Sequence, residues 1–246
     1  PQEMTTGYFG PLTEAAVKRW QELQNLPQVG VVGPRTRESF NSIYFKELCP
    51  KPKVNYKDKK LVPISPQRGI PADYIPKNLI DISDRVHTLG PICLEEVTTQ
   101  YLEAMFDQAL SEGIYLVVTS GYRRYEMQGL INNLWRLWIG ERVAETQSAK
   151  AGFSEHQLGT TVDISGPSVN YHLVETFGET PEGRWLENNA HKYGFIIRYP
   201  FNKEHITGYK YEPWHLRYVG EEVATYIYEN NITFDEYYVK NLYQRN

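Results

Sequence analysis

The chain has 246 residues, 41% hydrophobic and 23% charged, with 26 Lys and Arg against 30 Asp and Glu for a formal charge of −4. This is an ordinary globular composition, with room for one good domain and a smaller one. It argues against nucleic acid as the main partner, because phosphate binding leans on a basic surface, and no apolar run is long enough to span a bilayer.

Pro1 to Thr6 carry no basic, apolar leader pattern and read as the interior of something longer. The next 40 residues hold a short internal repeat. Gly10-Pro11-Leu12-Thr13 and Gly33-Pro34-Arg35-Thr36 each precede a helical pattern. Gly allows the turn, Pro suits the first helical turn, and Thr can satisfy free amides there. Ala16, Val17, Trp20 and Leu23 fall on one face of the first helix, and Phe40 and Ile43 on one face of the second. Gln28 to Gly33, with Val29, Val31 and Val32, reads as a tight turn with an apolar clamp. Residues 1–45 are therefore expected to form a small all-α module.

Residues 46–62 contain Pro50, Pro52 and a run of lysines and read as a linker. The remainder, 63–246, is expected to form the main domain. It opens with a proline-rich extended segment, Leu61 to Pro76, that wraps the domain. Thr98 to Glu112 has apolar residues at three and four and stops at Gly113, which predicts an amphipathic helix. Tyr125 to Trp138, Trp185 to Tyr193 and Glu221 to Asn230 are further predicted helices. Tyr115 to Thr119, Val162 to Ile164, Phe195 to Tyr199 and Leu216 to Val219 are predicted strands. The elements mix without a βαβ rhythm, so the expected class is α+β, a small antiparallel sheet with flanking helices. Cys49 and Cys93 are the two cysteines. They are either unrelated thiols or one disulfide tying the linker to the main domain, which would require an oxidising compartment.

Two distant stretches carry the chemistry. Ser154-Glu155-His156-Gln157-Leu158-Gly159-Thr160-Thr161-Val162-Asp163 and Glu212-Pro213-Trp214-His215 together offer two imidazoles, one carboxylate ligand and one spare carboxylate. That is the kit of a zinc hydrolase: three protein ligands, an open fourth position and a base for water. Fully extended, His156 and Asp163 would stand roughly 23 Å apart, yet both must reach one ion at about 2 Å. The chain must fold back, and Gly159 is where it can. Asp163 also fits a solvated strand-end carboxylate between two apolar residues. On a regular strand Glu212 and His215 would point to opposite faces, so a kink at Pro213 is required to turn both to one centre. Arg123, in Ser120-Gly121-Tyr122-Arg123, is placed either to grip a carboxylate in bidentate fashion or to make a surface ion pair. No Ser-x-x-Lys and no His-Glu-x-x-His string occurs, so neither the penicillin-binding serine route nor the common helical zinc protease is supported.

The run Gly7-Tyr8-Phe9-Gly10-Pro11 … Ala16-Val17 … Trp20-Gln21 … Gly30-Val31-Val32-Gly33-Pro34-Arg35-Thr36 resembles the three-helix peptidoglycan-binding domain of wall hydrolases. The first helix of that domain has no counterpart here, so this copy reads as N-terminally truncated. Four ordered motifs in the main domain resemble the VanY-type D-alanyl-D-alanine carboxypeptidases, zinc peptidases sharing a core with lysostaphin and hedgehog. They are Ser120-Gly121-Tyr122-Arg123 with Gln128; Ser154-Glu155-His156 … Gly159 … Asp163; Tyr193-Gly194-Phe195 … Arg198-Tyr199-Pro200; and Thr207-Gly208-Tyr209 … Glu212-Pro213-Trp214-His215-Leu216-Arg217-Tyr218-Val219-Gly220. The resemblance implies zinc on His156, Asp163 and His215, a catalytic Glu212, and peptide contacts from Arg123, Gln128, Ser148 and Ser154. It implies a peptidoglycan stem peptide as substrate, glycan as a possible further partner, and an extracytoplasmic place in a bacterial envelope, periplasmic or secreted. D,D and L,D specificity and a non-catalytic wall-binding role stay open at this point. Arg124, Ala151 and Thr161 depart from the usual Ser, Pro and Ala, and bear on substrate fit.

Overall fold

The computed structural model describes residues 9–44, 48–54, 61–141 and 148–242. Helix α1 (Pro11–Leu23) and α2 (Pro34–Tyr44) form the N-terminal hairpin, each with Pro opening the helix. Two local expectations fail. The N-cap of α1 is Gly10, without a side-chain cap, and Thr13 is exposed. Val29, Val31 and Val32 are exposed too, so no apolar clamp closes the turn. Buried Gln21 closes it instead. Its Oε1 accepts from Gly30 N–H, and its Nε2 donates to Val31 O and Thr36 Oγ1, each at 2.9 Å. One amide side chain thus satisfies the backbone of a turn whose apolar residues have nothing to pack on. Trp20 is buried, and α1 packs against α4, introduced below. The side chains of Phe40 and Ile43 lie outside the described residues.

Residues 61–76 form no helix. Ile64, Ile70 and Tyr74 bury themselves with Leu158, so the segment does wrap the main domain. A short antiparallel pair, β1 (Leu79–Asp81) and β2 (Cys93–Glu95), then leads into α3 (Glu96–Ser111). The pair is three residues a side, too short to leave a periodic signal. β3 (Val117–Ser120), α4 (Tyr125–Ile139), β4 (Thr161–Ser165), α5 (Pro181–Asn189), β5 (Phe195–Tyr199), α6 (Glu204–Thr207), β6 (Glu212–Tyr218), α7 (Glu221–Glu229) and α8 (Phe234–Asn241) follow. The last helix was not expected from the sequence. It starts on a capping box in which Thr233 and Glu236 satisfy each other's backbone amides.

The four longer strands make one antiparallel sheet in the order β3-β4-β6-β5. One face is apolar. Val118, Val162, Ile164 and Leu216 pack with Leu102, Met105, Phe106 and Ala109 of α3 and with Leu186 of α5. Strand alternation then sends Asp163 and His215 to the opposite face. The core lies on the helical side of the sheet, and the polar residues gather on the other.

Cys49 and Cys93 form a disulfide that joins segment 48–54 to β2. It closes a loop spanning a sequence separation of 44, which in the chain-entropy account stabilises the fold by about 4 kcal/mol. A thiol titration of the denatured, unreduced protein is expected to find no free thiol, and two after reduction. The Cys49→Ser/Cys93→Ser variant should lose about 2–4 kcal/mol in denaturant unfolding.

Candidate metal centre

The site is built where β4 and β6 run side by side. Asp163 is the register partner of His215, so their side chains leave the sheet as neighbours. His156 comes from a 3-10 turn, Glu155–Leu158, just before β4. Gly159 ends that turn at φ 71, a left-handed conformation, and a Cβ there would meet Pro76 at 2.8 Å. This is the fold-back that the seven-residue spacing demands. His156 Nε2 lies 3.2 Å from Asp163 Oδ2, and His215 Nδ1 lies 3.2 Å from Asp163 Oδ1. One ligand atom from each of the three lies within 4.8 Å of the others, and all three residues are buried.

Glu212 begins β6. The β5–β6 register shifts between Ile197 and Tyr199, so that Leu216 and Glu212 pair two residues apart on β5 but four apart on β6. The excess is taken up between Glu212 and Leu216, a stretch that includes Pro213, and Glu212 Oε2 lies 3.5 Å from His215 Nδ1. The required kink is therefore present, as a strand irregularity. Asp163 is not a strand-end carboxylate in solvent; it is buried in the middle of β4.

Each imidazole has its second nitrogen engaged differently. His156 Nδ1 donates to Gly121 O at 2.7 Å, which leaves Nε2 for the centre. Gly121 brings that carbonyl in because nothing larger fits: a Cβ would meet Ile92 Cγ2 at 2.5 Å and Cys93 O at 2.8 Å. His215 turns Nδ1 to the centre and Nε2 toward the carboxylate of Glu155, 3.9 Å away.

The charges fit a cation. Burial holds the His156 imidazole below its ordinary pKa, which favours the neutral ring a metal would need. Burial also opposes charging His215, but the carboxylates around it, Asp163, Glu155 and Glu212, outweigh it and push that ring up to about 9. Asp163 is buried as well, and the two imidazoles beside it hold its carboxyl well below the usual range. Burial pushes Glu212 up to about 7. The centre thus draws positive charge to Nδ1 of His215. Asp163 Oδ1 is buried without a hydrogen-bond partner, as expected of an atom directed at an ion. Two imidazoles and a carboxylate are a zinc donor set with a position left over for chemistry.

The other expected residues converge beside this centre. Arg123 Nη1 donates to Gln128 Oε1 at 2.8 Å and Nη2 to Ser120 Oγ at 2.9 Å, with Asp163 Oδ2 at 3.9 Å. Gln128 Nε2 donates to Ala149 O at 2.6 Å and lies 3.3 Å from Ser148 Oγ. Ser154, buried, precedes the His156 turn as its N-cap. Asn132 was not anticipated; its Nδ2 donates to Ser148 O at 2.7 Å and anchors that loop to α4. Ala151 packs against Gly129 of the same helix. Three more residues were present in the motifs but without a role: Glu155, Arg198 and Arg217, all fully buried behind His215. Adjacency of Glu155 to a ligand was the available signal. The arginines gave none, because charged residues within strands ordinarily face solvent.

Residues 91–221 match the VanY family model, described as D-alanyl-D-alanine carboxypeptidase, and residues 2–39 match a putative peptidoglycan binding domain. The putative carboxypeptidase YodJ of Bacillus subtilis (strain 168) is 43% identical over 185 residues, covering 72% of this chain and 66% of that protein. A solved structure of the LdcB LD-carboxypeptidase superposes with a TM-score of 0.68 at 42% identity, over 72% of this chain and 85% of that one. A mutant VanY D,D-pentapeptidase from a VanB-type resistance cassette, in complex with Zn(II), superposes with a TM-score of 0.62 at 36% identity, over 72% and 98%. The match thus spans just under two thirds of the Bacillus relative, and about half of a D-alanyl-D-alanine carboxypeptidase from Enterococcus faecalis. With the family model covering more than half of its length, the chain belongs to the VanY D-alanyl-D-alanine carboxypeptidase family.

Proposed function

We propose that this chain is a zinc-dependent peptidoglycan carboxypeptidase that removes the terminal D-alanine from stem peptides. The observation that carries the reading is Glu212, a carboxylate 3.5 Å from a ligand imidazole and not needed as a ligand itself. His156, Asp163 and His215 would hold the zinc. Zinc, when bound, supplies a Lewis acid for the scissile carbonyl and lowers the pKa of water at the centre. Glu212 takes the proton of the attacking water and passes it to the leaving amine, a task suited to a carboxyl whose pKa is near 7. Arg123 pairs with the free C-terminal carboxylate. Its guanidinium is oriented by Ser120 and Gln128, so it meets the carboxylate at little entropic loss. Gln128, Ser148 and Ser154 line the approach of the stem, with Asn132 fixing the Ser148 backbone.

A second reading has specific support. The LdcB LD-carboxypeptidase is more similar to this chain than the VanY structure is, at 42% against 36% identity and a TM-score of 0.68 against 0.62. An L,D-carboxypeptidase acting on tetrapeptide stems uses the same centre and differs in the pocket for the penultimate residue. A wall-binding protein with a structural metal has less support, because such a site needs no Glu212.

The proposal extends to the whole chain. Residues 1–45 would be the wall-binding module, 46–62 the linker and 63–246 the catalytic domain. Glycan would be a second partner, and the setting extracytoplasmic, in a bacterial envelope. The disulfide supports an oxidising compartment. No helix among the described residues is long and apolar enough to cross a membrane.

Penta- and tetrapeptide stems incubated with the zinc-loaded protein, and products weighed by mass spectrometry, test the activity. Loss of one D-alanine from the pentapeptide, abolished by a chelator, is expected. Release only from the tetrapeptide selects the L,D reading, and release from neither sinks both. Glu212→Gln should keep one zinc per chain by metal analysis and lose about 10²–10⁴-fold in kcat. Arg123→Lys should keep the zinc and lower kcat/KM by about 10-fold or more, the loss of a bidentate charge-assisted contact, in steady-state kinetics.

A further inference from the structure

The charged cluster behind His215 takes no part in the chemistry above. Glu155 is buried on the 3-10 turn beside His156. Its Oε1 accepts from Arg198 Nε at 2.8 Å and lies 2.7 Å from Arg217 Nη1. Both guanidiniums are fully buried. Arg198 is gripped from its far side by Asp235 of α8, at 2.6 and 3.2 Å, and Arg217 Nη2 donates to Val62 O at 3.2 Å in the wrapping segment. Oε1 is thus occupied. Oε2 makes no hydrogen bond and faces His215 Nε2 at 3.9 Å, which makes none either.

A carboxylate and two guanidiniums buried together contribute little net stability, and apolar side chains of equal volume would fill the place as well. The free oxygen gives the carboxylate a reason to be there. An imidazole that offers Nδ1 to a metal carries its proton on Nε2, and a buried N–H needs an acceptor. We propose that Glu155 is a positioning residue whose Oε2 accepts the Nε2–H of His215, fixing the ring as an Nδ1 donor and strengthening zinc binding, while Arg198 and Arg217 aim the carboxylate. This rests on reading His156, Asp163 and His215 as the zinc ligands. A glutamine at 155 could not substitute. Its amide oxygen would turn to the arginines, leaving its NH₂ to face Nε2–H, donor against donor.

The test is zinc affinity, by competition with a chromogenic chelator, in the full chain and in Glu155→Gln, with circular dichroism as the check on folding. Wild type should bind one zinc, and the folded variant should bind it about 10–100-fold more weakly. Ring ¹⁵N–¹H spectra of the zinc-loaded wild type should give His215 as the Nε2–H tautomer with a slowly exchanging proton. If Glu155→Gln does not fold, these spectra decide alone. Affinity within twofold of wild type in the folded variant, or a His215 proton on Nδ1, overturns the assignment. A wild type that binds no zinc fails the ligand reading instead, and is told apart by that stoichiometry.

Discussion

Everything at the centre depends on one cross-strand pair. Asp163 and His215 stand opposite each other on β4 and β6, and the alternation of strand side chains puts both on the face away from α3. That single register brings together residues 52 positions apart in sequence without any loop having to hold them. A slip of one residue would turn Asp163 into the core and Val162 out of it, or His215 in and Leu216 out, so the apolar packing enforces the pairing. Two local devices complete the set. The left-handed Gly159 folds His156 back over the strand it precedes, and the irregularity between Glu212 and Leu216 brings Glu212 beside His215. The rigid sheet carries Asp163 and His215, and the short turn beside it carries His156.

The two imidazoles are held by different means. His156 leans on a backbone carbonyl, that of Gly121, whose position follows from close packing of β2 against the end of β3. Since Tyr122 N–H donates to Cys93 O at 2.8 Å, the disulfide strand is tied to the segment that carries this carbonyl. His215 leans on a side chain, and that side chain on two arginines. A carbonyl is fixed as firmly as its chain, whereas a carboxylate adds a full charge that strengthens the ring as a donor. The arrangement divides the work of orienting and of charging between the two imidazoles.

Much of this was legible in the residues. Four strands and the long helices follow from apolar period, because each buries one face against one core. The grouping of His156, Asp163 and His215 was legible from chemistry and order, since two imidazoles and two carboxylates flanked by turn residues have few other uses. What was hidden falls into two kinds. β1, β2 and α8 are too short or too polar to leave a periodic trace; α8 rests on its capping box and on Phe234 beneath it. Arg198 and Arg217 were hidden for the opposite reason. Within a strand an arginine reads as a solvent-facing residue, and only the assembled fold reveals that residues 61–64 and α8 cover that face. Likewise the valines of the 28–33 turn read as a clamp, though one glutamine does that work and the valines stay exposed.

The covering of that face explains why a four-stranded sheet needs so much irregular chain around it. Two buried guanidiniums and a buried carboxylate are stable only if nearly every polar atom finds a partner and water stays out. The sheet itself cannot supply those partners, because its own amides and carbonyls are spent on the ladder. They come instead from Val62 O and Ile64 O in the extended segment and from Asp235 at the start of α8. These groups lie at opposite ends of the domain in sequence and meet at one charge cluster. The extended segment thus has a second task beyond burying Ile64 and Ile70. Its prolines keep it from folding into a helix that would consume the very carbonyls the arginines require. On this reasoning the wrap is part of the support for the second imidazole, and the line between catalytic core and outer strap disappears at Glu155.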